Sequence, residues 1–199
     1  DSSKPSKLVI FCHGYGADGN DLIGLANYIQ PQMPDAVFLS PNAPEKCGSN
    51  PMGYQWFDFQ SGDPATIWKG VLNAADTLNG FIDEQLKNYE LSDDNLALVG
   101  FSQGTMMSLH VGLRRENSMR AIVGFSGRLI APELLKNELK SKPPIYLIHG
   151  DMDPMVPYQE TIEAEKKLSE LSLDVKAHIS PNTQHSIAQD GLDIAIKFL

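Results

Sequence analysis

Short apolar runs punctuate the chain at Leu8–Cys12 (LVIFC), Ala36–Ser40 (AVFLS), Leu96–Val99 (LALV), Ala121–Phe125 (AIVGF), Ile145–Ile148 (IYLI) and Val175–Ile179 (VKAHI). The first five are nearly unbroken in apolar residues, which predicts strands covered on both faces, as in a parallel sheet. The last run alternates. Val175, Ala177 and Ile179 face one way and Lys176, His178 and Ser180 the other, which predicts an edge strand with one wet face. Between the runs the period becomes helical. Over 66–89, Val71, Ala75, Leu78, Ile82 and Leu86 form one stripe, with Asn79, Asp83 and Lys87 off it. Further helices are predicted near 20–30, 103–116, 132–140, 158–171 and 186–199. Strand and helix alternate throughout, so the class is α/β, with a mostly parallel central sheet and helices on both faces. Pro41 to Pro64 has no period, contains YQWFDF, and reads as a functional loop.

In such a sheet chemistry lies just beyond the carboxyl ends of the strands. Directly after LALV comes Gly100-Phe101-Ser102-Gln103-Gly104, a G-x-S-x-G that opens a helical pattern. A strand that reverses into a helix within one residue strains its serine and projects the hydroxyl, while flanking glycines remove Cβ atoms where backbones crowd. A plain glycine-bounded turn with Ser102 as N-cap is the competing reading of the pentapeptide alone. A serine nucleophile needs a base held by an acid, in the chain order Ser, acid, His. The acid candidates are Asp151 and Asp153 in HGDMDPMVP; Asp153 is favoured because the following Pro154 fixes a turn at its carboxylate. Of the later histidines, His178 sits on the wet side of the last strand. His185, in the loop SPNTQHSIAQ, is therefore the predicted base, and His149 and His110 are assigned structural roles.

Gly14-Tyr15-Gly16-Ala17-Asp18-Gly19 spells G-x-G-x-x-G, the fingerprint of a dinucleotide loop. That fingerprint calls for an acid at the end of the second strand, and Asp35 precedes that strand instead. Asp18 and Asp21 would also repel a pyrophosphate. The loop is better read as half of an oxyanion hole, with the Tyr15 and Gln103 backbone N–H groups as donors.

With these residues in view, the chain resembles the α/β-hydrolases of the phospholipase/carboxylesterase group, which includes acyl-protein thioesterases. FCHGYGADGND, GYQWFD, GFSQGTMMSL, HGDMDPMVP and QHSI recur in family order over nearly the whole chain. The resemblance implies a Ser102–Asp153–His185 triad, an oxyanion hole from Tyr15 and Gln103, and hydrolysis of carboxylic esters or thioesters without cofactor or metal. It also implies that Trp56 lines the acyl or leaving-group side. Phe57, Met52, Met106 and Met155 are the other apolar candidates near the substrate. Thr105 departs from the small residue common after the second glycine and is expected to narrow the pocket behind the serine. The shortness of the chain points to a minimal form without cap domain.

At 199 residues the chain suits one domain, 1–199. Its net charge of −9 argues against nucleic acid and anionic membranes, and mildly against anionic head groups or CoA. No apolar segment is long enough to span a bilayer. The polar opening DSSKPSK lacks the core of a secretion signal, and Cys12 and Cys47 form no disulfide framework, so a cytoplasmic setting is expected. No HExxH accompanies His13, which is assigned to bracing its loop. The expected partner is a small-molecule ester or thioester, or an acylated protein; a homodimer is left open. Acyl-protein thioesterase and lysophospholipase activity are the alternatives within the class, and a non-catalytic binding protein on the same scaffold is the alternative outside it.

Overall fold

Each apolar run forms a strand of one parallel sheet. The computed structural model describes residues 4–199; Asp1, Ser2 and Ser3 of the polar opening lie outside the described residues. In chain order the strands are β1 (Lys7–Cys12), β2 (Ala36–Leu39), β3 (Glu45–Lys46), β4 (Tyr54–Gln55), β5 (Leu96–Phe101), β6 (Ala121–Phe125), β7 (Ile145–Gly150) and β8 (Val175–Ser180). The main sheet runs β2-β1-β5-β6-β7-β8 with every neighbouring pair parallel. The helices are α1 (Gly19–Ile23), α2 (Ala26–Ile29), α3 (Pro64–Tyr89), α4 (Gln103–Gly112), α5 (Pro132–Glu138), α6 (Gln159–Glu170) and α7 (Gln189–Phe198).

Unbroken apolar strands follow from two cores. Leu8, Ile10, Leu96 and Leu98 meet the stripes of α3, α4 and α6 on one face. Val9, Phe11, Ala97 and Val99 meet Leu22 of α1, Ile29 of α2 and Ala195 of α7 on the other. The last strand, β8, lies at the edge as its alternation predicts, but its polar face is not open throughout: Ser180 is buried and His178 is bonded to Asp190 of α7. β2 lies at the other edge, a correction to its reading as a fully covered strand: its four residues are all only partly buried. Its apolar character still has a cause, since Val37 and Leu39 pack on one core and Ala36 and Phe38 on the other.

Local breaks shorten two predicted helices. The 20–30 segment divides at Gly24-Leu25 into α1 and α2, and α4 stops at Gly112. The 41–64 loop carries a feature its sequence hid, the antiparallel ribbon β3–β4. Among the described residues, no helix is long and apolar enough to cross a membrane.

The strand order places the site. After β1 the chain moves outward to β2, and after β5 it moves the opposite way to β6. Helix α1 therefore packs on one face and α4 on the other, leaving a crevice between the carboxyl ends of β1 and β5. All ten residues of α4 are buried, and the helix approaches β1 so closely that a Cβ at Gly104 would fall on the Cys12 carbonyl oxygen. Gly80, on the exposed side of α3, has nothing within 4 Å of a would-be Cβ. We expect Gly104→Ala to lower stability by several kcal/mol, an overpacking penalty against rigid backbone. Gly80→Ala should raise it by about 0.5–1 kcal/mol through helix propensity alone. Chemical denaturation of both variants checks the contrast, and equal stabilities would contradict it.

Candidate active site

The turn from β5 into α4 is strained. Ser102 holds φ 53° and ψ −116°, a conformation costly for any residue with a side chain. Its N–H donates to the Phe125 carbonyl oxygen at 2.8 Å, fixing the turn to the end of β6. The neighbouring glycines have steric causes, since a Cβ at Gly100 would strike the Thr105 backbone and one at Gly104 the Cys12 carbonyl. Gly14 belongs to the same crowd; its Cβ would lie 3.1 Å from the Phe101 ring and 3.5 Å from Ser102 Cβ.

At the carboxyl end of β7, the Asp153 side chain has 0% exposure, and a carboxylate so buried requires donors. It has four. Oδ1 accepts from the backbone N–H groups of Met155 (2.8 Å) and Val156 (2.9 Å). Oδ2 accepts from His185 Nδ1 at 2.6 Å and His149 Nε2 at 3.1 Å. Burial pushes the carboxyl up, but the bonds from His185, Val156 and Met155 outweigh it and hold Asp153 below the usual carboxylate range. Because the carboxylate can only accept, Nδ1 of His185 carries a proton and Nε2 of the neutral ring is left basic. The Phe101 ring packs on that imidazole with centroids 4.9 Å apart. Asp151 turns elsewhere, accepting from the Thr183 N–H.

His149 does more than its structural assignment implied. Nε2 faces two acceptors, Asp153 Oδ2 and the Val156 carbonyl at 2.8 Å, so it carries the proton, while Nδ1 meets Thr161 Oγ1 at 2.8 Å. Burial holds this imidazole below its ordinary pKa, and as a neutral donor it anchors the carboxylate that orients His185. The signal was its spacing, four residues before Asp153 at a strand end.

Several amides of the G-x-G-x-x-G loop are already bonded, some of them to the 41–64 loop. Gly16 N–H donates to Tyr54 O, Ala17 N–H to Gly14 O, Gly19 N–H to Asn42 Oδ1 and Asn20 N–H to Asp18 Oδ1. A phosphate would find these donors taken. The Tyr15 N–H has no acceptor among the described residues, and Gln103 is the first residue of α4, where N–H groups have no partner within the helix. His13 braces the loop: Nε2 accepts from Ala43 N–H at 2.9 Å, so Nδ1–H donates to Gly14 O. The Gln103 side chain, missed as a functional group from sequence, pins the 41–63 loop by accepting from Trp56 N–H and donating to Phe57 O.

Ser102, His185, Tyr15 and Gln103 line one cavity of about 350 Å³, whose apolar wall includes Phe57 and Met106. Met155 lies on its rim and is 72% exposed. Trp56 does not line it. The indole is 1% exposed, packs at a tilt against His13 and donates Nε1–H to the His13 carbonyl, so it supports the loop from behind. Met52 is outside the cavity and exposed. Thr105 does not narrow the pocket either: its hydroxyl donates to Phe125 O and its methyl fills the space beside Gly124 and Gly127.

A family model for phospholipases and carboxylesterases matches residues 1–199. The chain belongs to the phospholipase/carboxylesterase family. Among its relatives, acyl-protein thioesterase 1 of Saccharomyces cerevisiae is 28% identical, the match covering 97% of this chain and 91% of the relative. Esterase YpfH of Escherichia coli is 27% identical over 98% of this chain and 83% of its own length. The crystal structure of esterase PE8 superposes with a TM-score of 0.94 and 44% identity, covering 99% of this chain and 93% of the other. That of the Bacillus cereus carboxylesterase, at 20% identity and a TM-score of 0.79, shares the fold. This phospholipase/carboxylesterase family member is thus a hydrolase with the α/β-hydrolase fold.

Three imidazoles are buried and held below their ordinary pKa by that burial: His13, His149 and, at about 4, His110 in the last turn of α4, where Arg114 adds repulsion. Below pH 6.5 the unfolded chain takes up protons that these folded rings refuse, so their contribution is complete above that pH and declines as pH falls. Between pH 7.5 and 5.5, His110 alone should cost about 1 kcal/mol of stability, with His13 and His149 adding in the same direction. Urea unfolding across that range checks this, and a flat or rising profile toward acid would contradict it.

Proposed function

We propose that this hydrolase is a serine carboxylesterase acting on short- to medium-chain carboxylic esters through an acyl-enzyme on Ser102. His185 Nε2 accepts the Ser102 proton as Oγ attacks the ester carbonyl. The tetrahedral oxyanion is held by the Tyr15 and Gln103 N–H groups, each such donor worth about 3–4 kcal/mol in the transition state. Asp153 holds the imidazole in its Nδ1–H form and stabilises its charged state. The carbonyl–oxygen bond breaks, and the alcohol leaves with the proton from His185. Water then repeats the sequence, His185 taking its proton as it attacks the acyl carbon and returning that proton to Ser102 Oγ as the acid departs.

The observation that carries this reading is the 2.6 Å bond from His185 Nδ1 to the buried side chain of Asp153, with His185 and Ser102 on the wall of one cavity. The cavity's volume lies near the lower end of small-molecule sites, roughly 300–1,000 Å³, which favours acyl chains of modest length. Thioester or lysophospholipid hydrolysis is the second reading, favoured by relatives named acyl-protein thioesterase. Both cysteines are free, in keeping with a reducing cytoplasmic setting.

A series of p-nitrophenyl esters from acetate to palmitate, run beside a palmitoyl-cysteine peptide and lysophosphatidylcholine, tests the proposal. We expect kcat/KM to peak between butyrate and octanoate. Ser102→Ala should lower kcat by at least about 10³-fold in a folded protein. Faster turnover of the palmitoyl thioester than of any short ester would replace this reading with the thioesterase one, and undiminished activity in Ser102→Ala would end both.

A further inference from the structure

His185 borders a second hollow. A groove of about 620 Å³ shares Asp21, Phe101 and His185 with the cavity described above, and runs from them over Leu22, Leu25 and Tyr28. Ser102, Gln103 and Met106 line only the first hollow, while Leu22, Leu25 and Ile187 line only the second. The Phe101–His185 pair, packed ring against tilted ring, therefore stands between them, and a molecule bonded to Ser102 can extend to either side.

The two sides are not equivalent in acyl transfer. The apolar cavity next to Ser102 suits the acyl chain. The departing oxygen or sulfur must take its proton from His185, so the group attached to it lies along the imidazole and leads into the second groove. We propose that this groove is the leaving-group subsite and that it selects alcohols and thiols carrying a positive charge. The proposal rests on the serine-esterase reading above. Its chemistry comes from the lining. Apart from His185, the groove presents one ionisable side chain that is charged near neutral pH, the Asp21 carboxylate, which has no ion-pair partner or side-chain hydrogen bond among the described residues. The first cavity, by contrast, is lined by the Arg128 cation as well as by Glu160 and Asp21. Leu22, Leu25 and Ile187 supply an apolar floor for a short carbon stem. Tyr28 adds an aromatic ring, 58% exposed, able to receive a cation on its face. The net charge of −9 acts in the same direction at long range.

Butyrylthiocholine and its uncharged carbon isostere, 3,3-dimethylbutyl thiobutyrate, differ only in that charge. The readout is the ratio of their kcat/KM values within each enzyme, which cancels any effect of a substitution on general activity. For the wild type we expect a preference for the cation of about 3–10-fold at low salt, the size of a half-exposed ion pair assisted by an aromatic face. It should shrink in roughly 0.5 M NaCl. Asp21→Asn should bring the ratio close to unity, and Asp21→Lys should invert it; should the lysine variant not fold, the asparagine variant decides alone. A wild-type ratio at or below unity, or one unchanged by both substitutions, overturns the proposal. If neither thioester nor any neutral ester is turned over, the esterase reading itself has failed, which is a separate result.

Discussion

Four chain segments converge on one strained residue. Ser102 cannot relax its positive φ because its N–H is bonded to Phe125, and α4 behind it is wedged against the Cys12 carbonyl. Gly100, Gly104 and Gly14 exist in this sequence because side chains there would push those segments apart. The constraint radiates outward. Through its side-chain amide, Gln103 fixes the backbone of Trp56 and Phe57, and through Trp56 the loop bearing His13 is held from beneath. A turn that costs about 1–3 kcal/mol in isolation is thus over-determined by its surroundings, the condition under which strain persists at functional sites.

The electrostatics follow a consistent plan in which imidazoles are kept neutral and the carboxylate charged. His13 and His149 each have a defined tautomer set by partners that can only accept or only donate. Asp153 remains an anion without exposure because four donors surround it, two from its own turn and two from histidines. Sharing Oδ2 between two imidazoles is economical in position but not in role. The shorter bond, at 2.6 Å, goes to the ring that faces the cavity, and the longer one to a ring buried behind it.

The strands and the long helix were legible because their signals are local. Runs such as LVIFC report coverage on both faces directly, and the α3 stripe reports one buried side. Asp153 and His185, which the structure joins by a 2.6 Å bond, are reachable for a different reason: chain order leaves two acids and two histidines, the Asp-Pro turn separates the acids, and the place of His178 within the last strand sets it apart from His185. What escaped depended on who stands opposite. The substrate-side place of Trp56 is implied by the family resemblance alone, whereas an indole N–H beneath the His13 carbonyl is a tertiary fact. Thr105 was expected to crowd the serine, yet the absence of Cβ atoms at Gly124 and Gly127, one on β6 and one just beyond it, gives its methyl room on the far side. The edge position of β2 and the split of α1 from α2 likewise rest on neighbours rather than on composition. His149 shows the limit most clearly: its spacing from Asp153 allows a contact but does not say that its ring closes on the same oxygen as His185.

The account stands on the reactivity of one hydroxyl, and covalent trapping measures it most directly. Folded protein treated with a fluorophosphonate at one equivalent should gain a single adduct by intact mass, mapped by peptide sequencing to Ser102, and the same protein unfolded in guanidinium should gain none. Folded protein that stays unmodified, or that carries its adduct on another residue, would contradict the account.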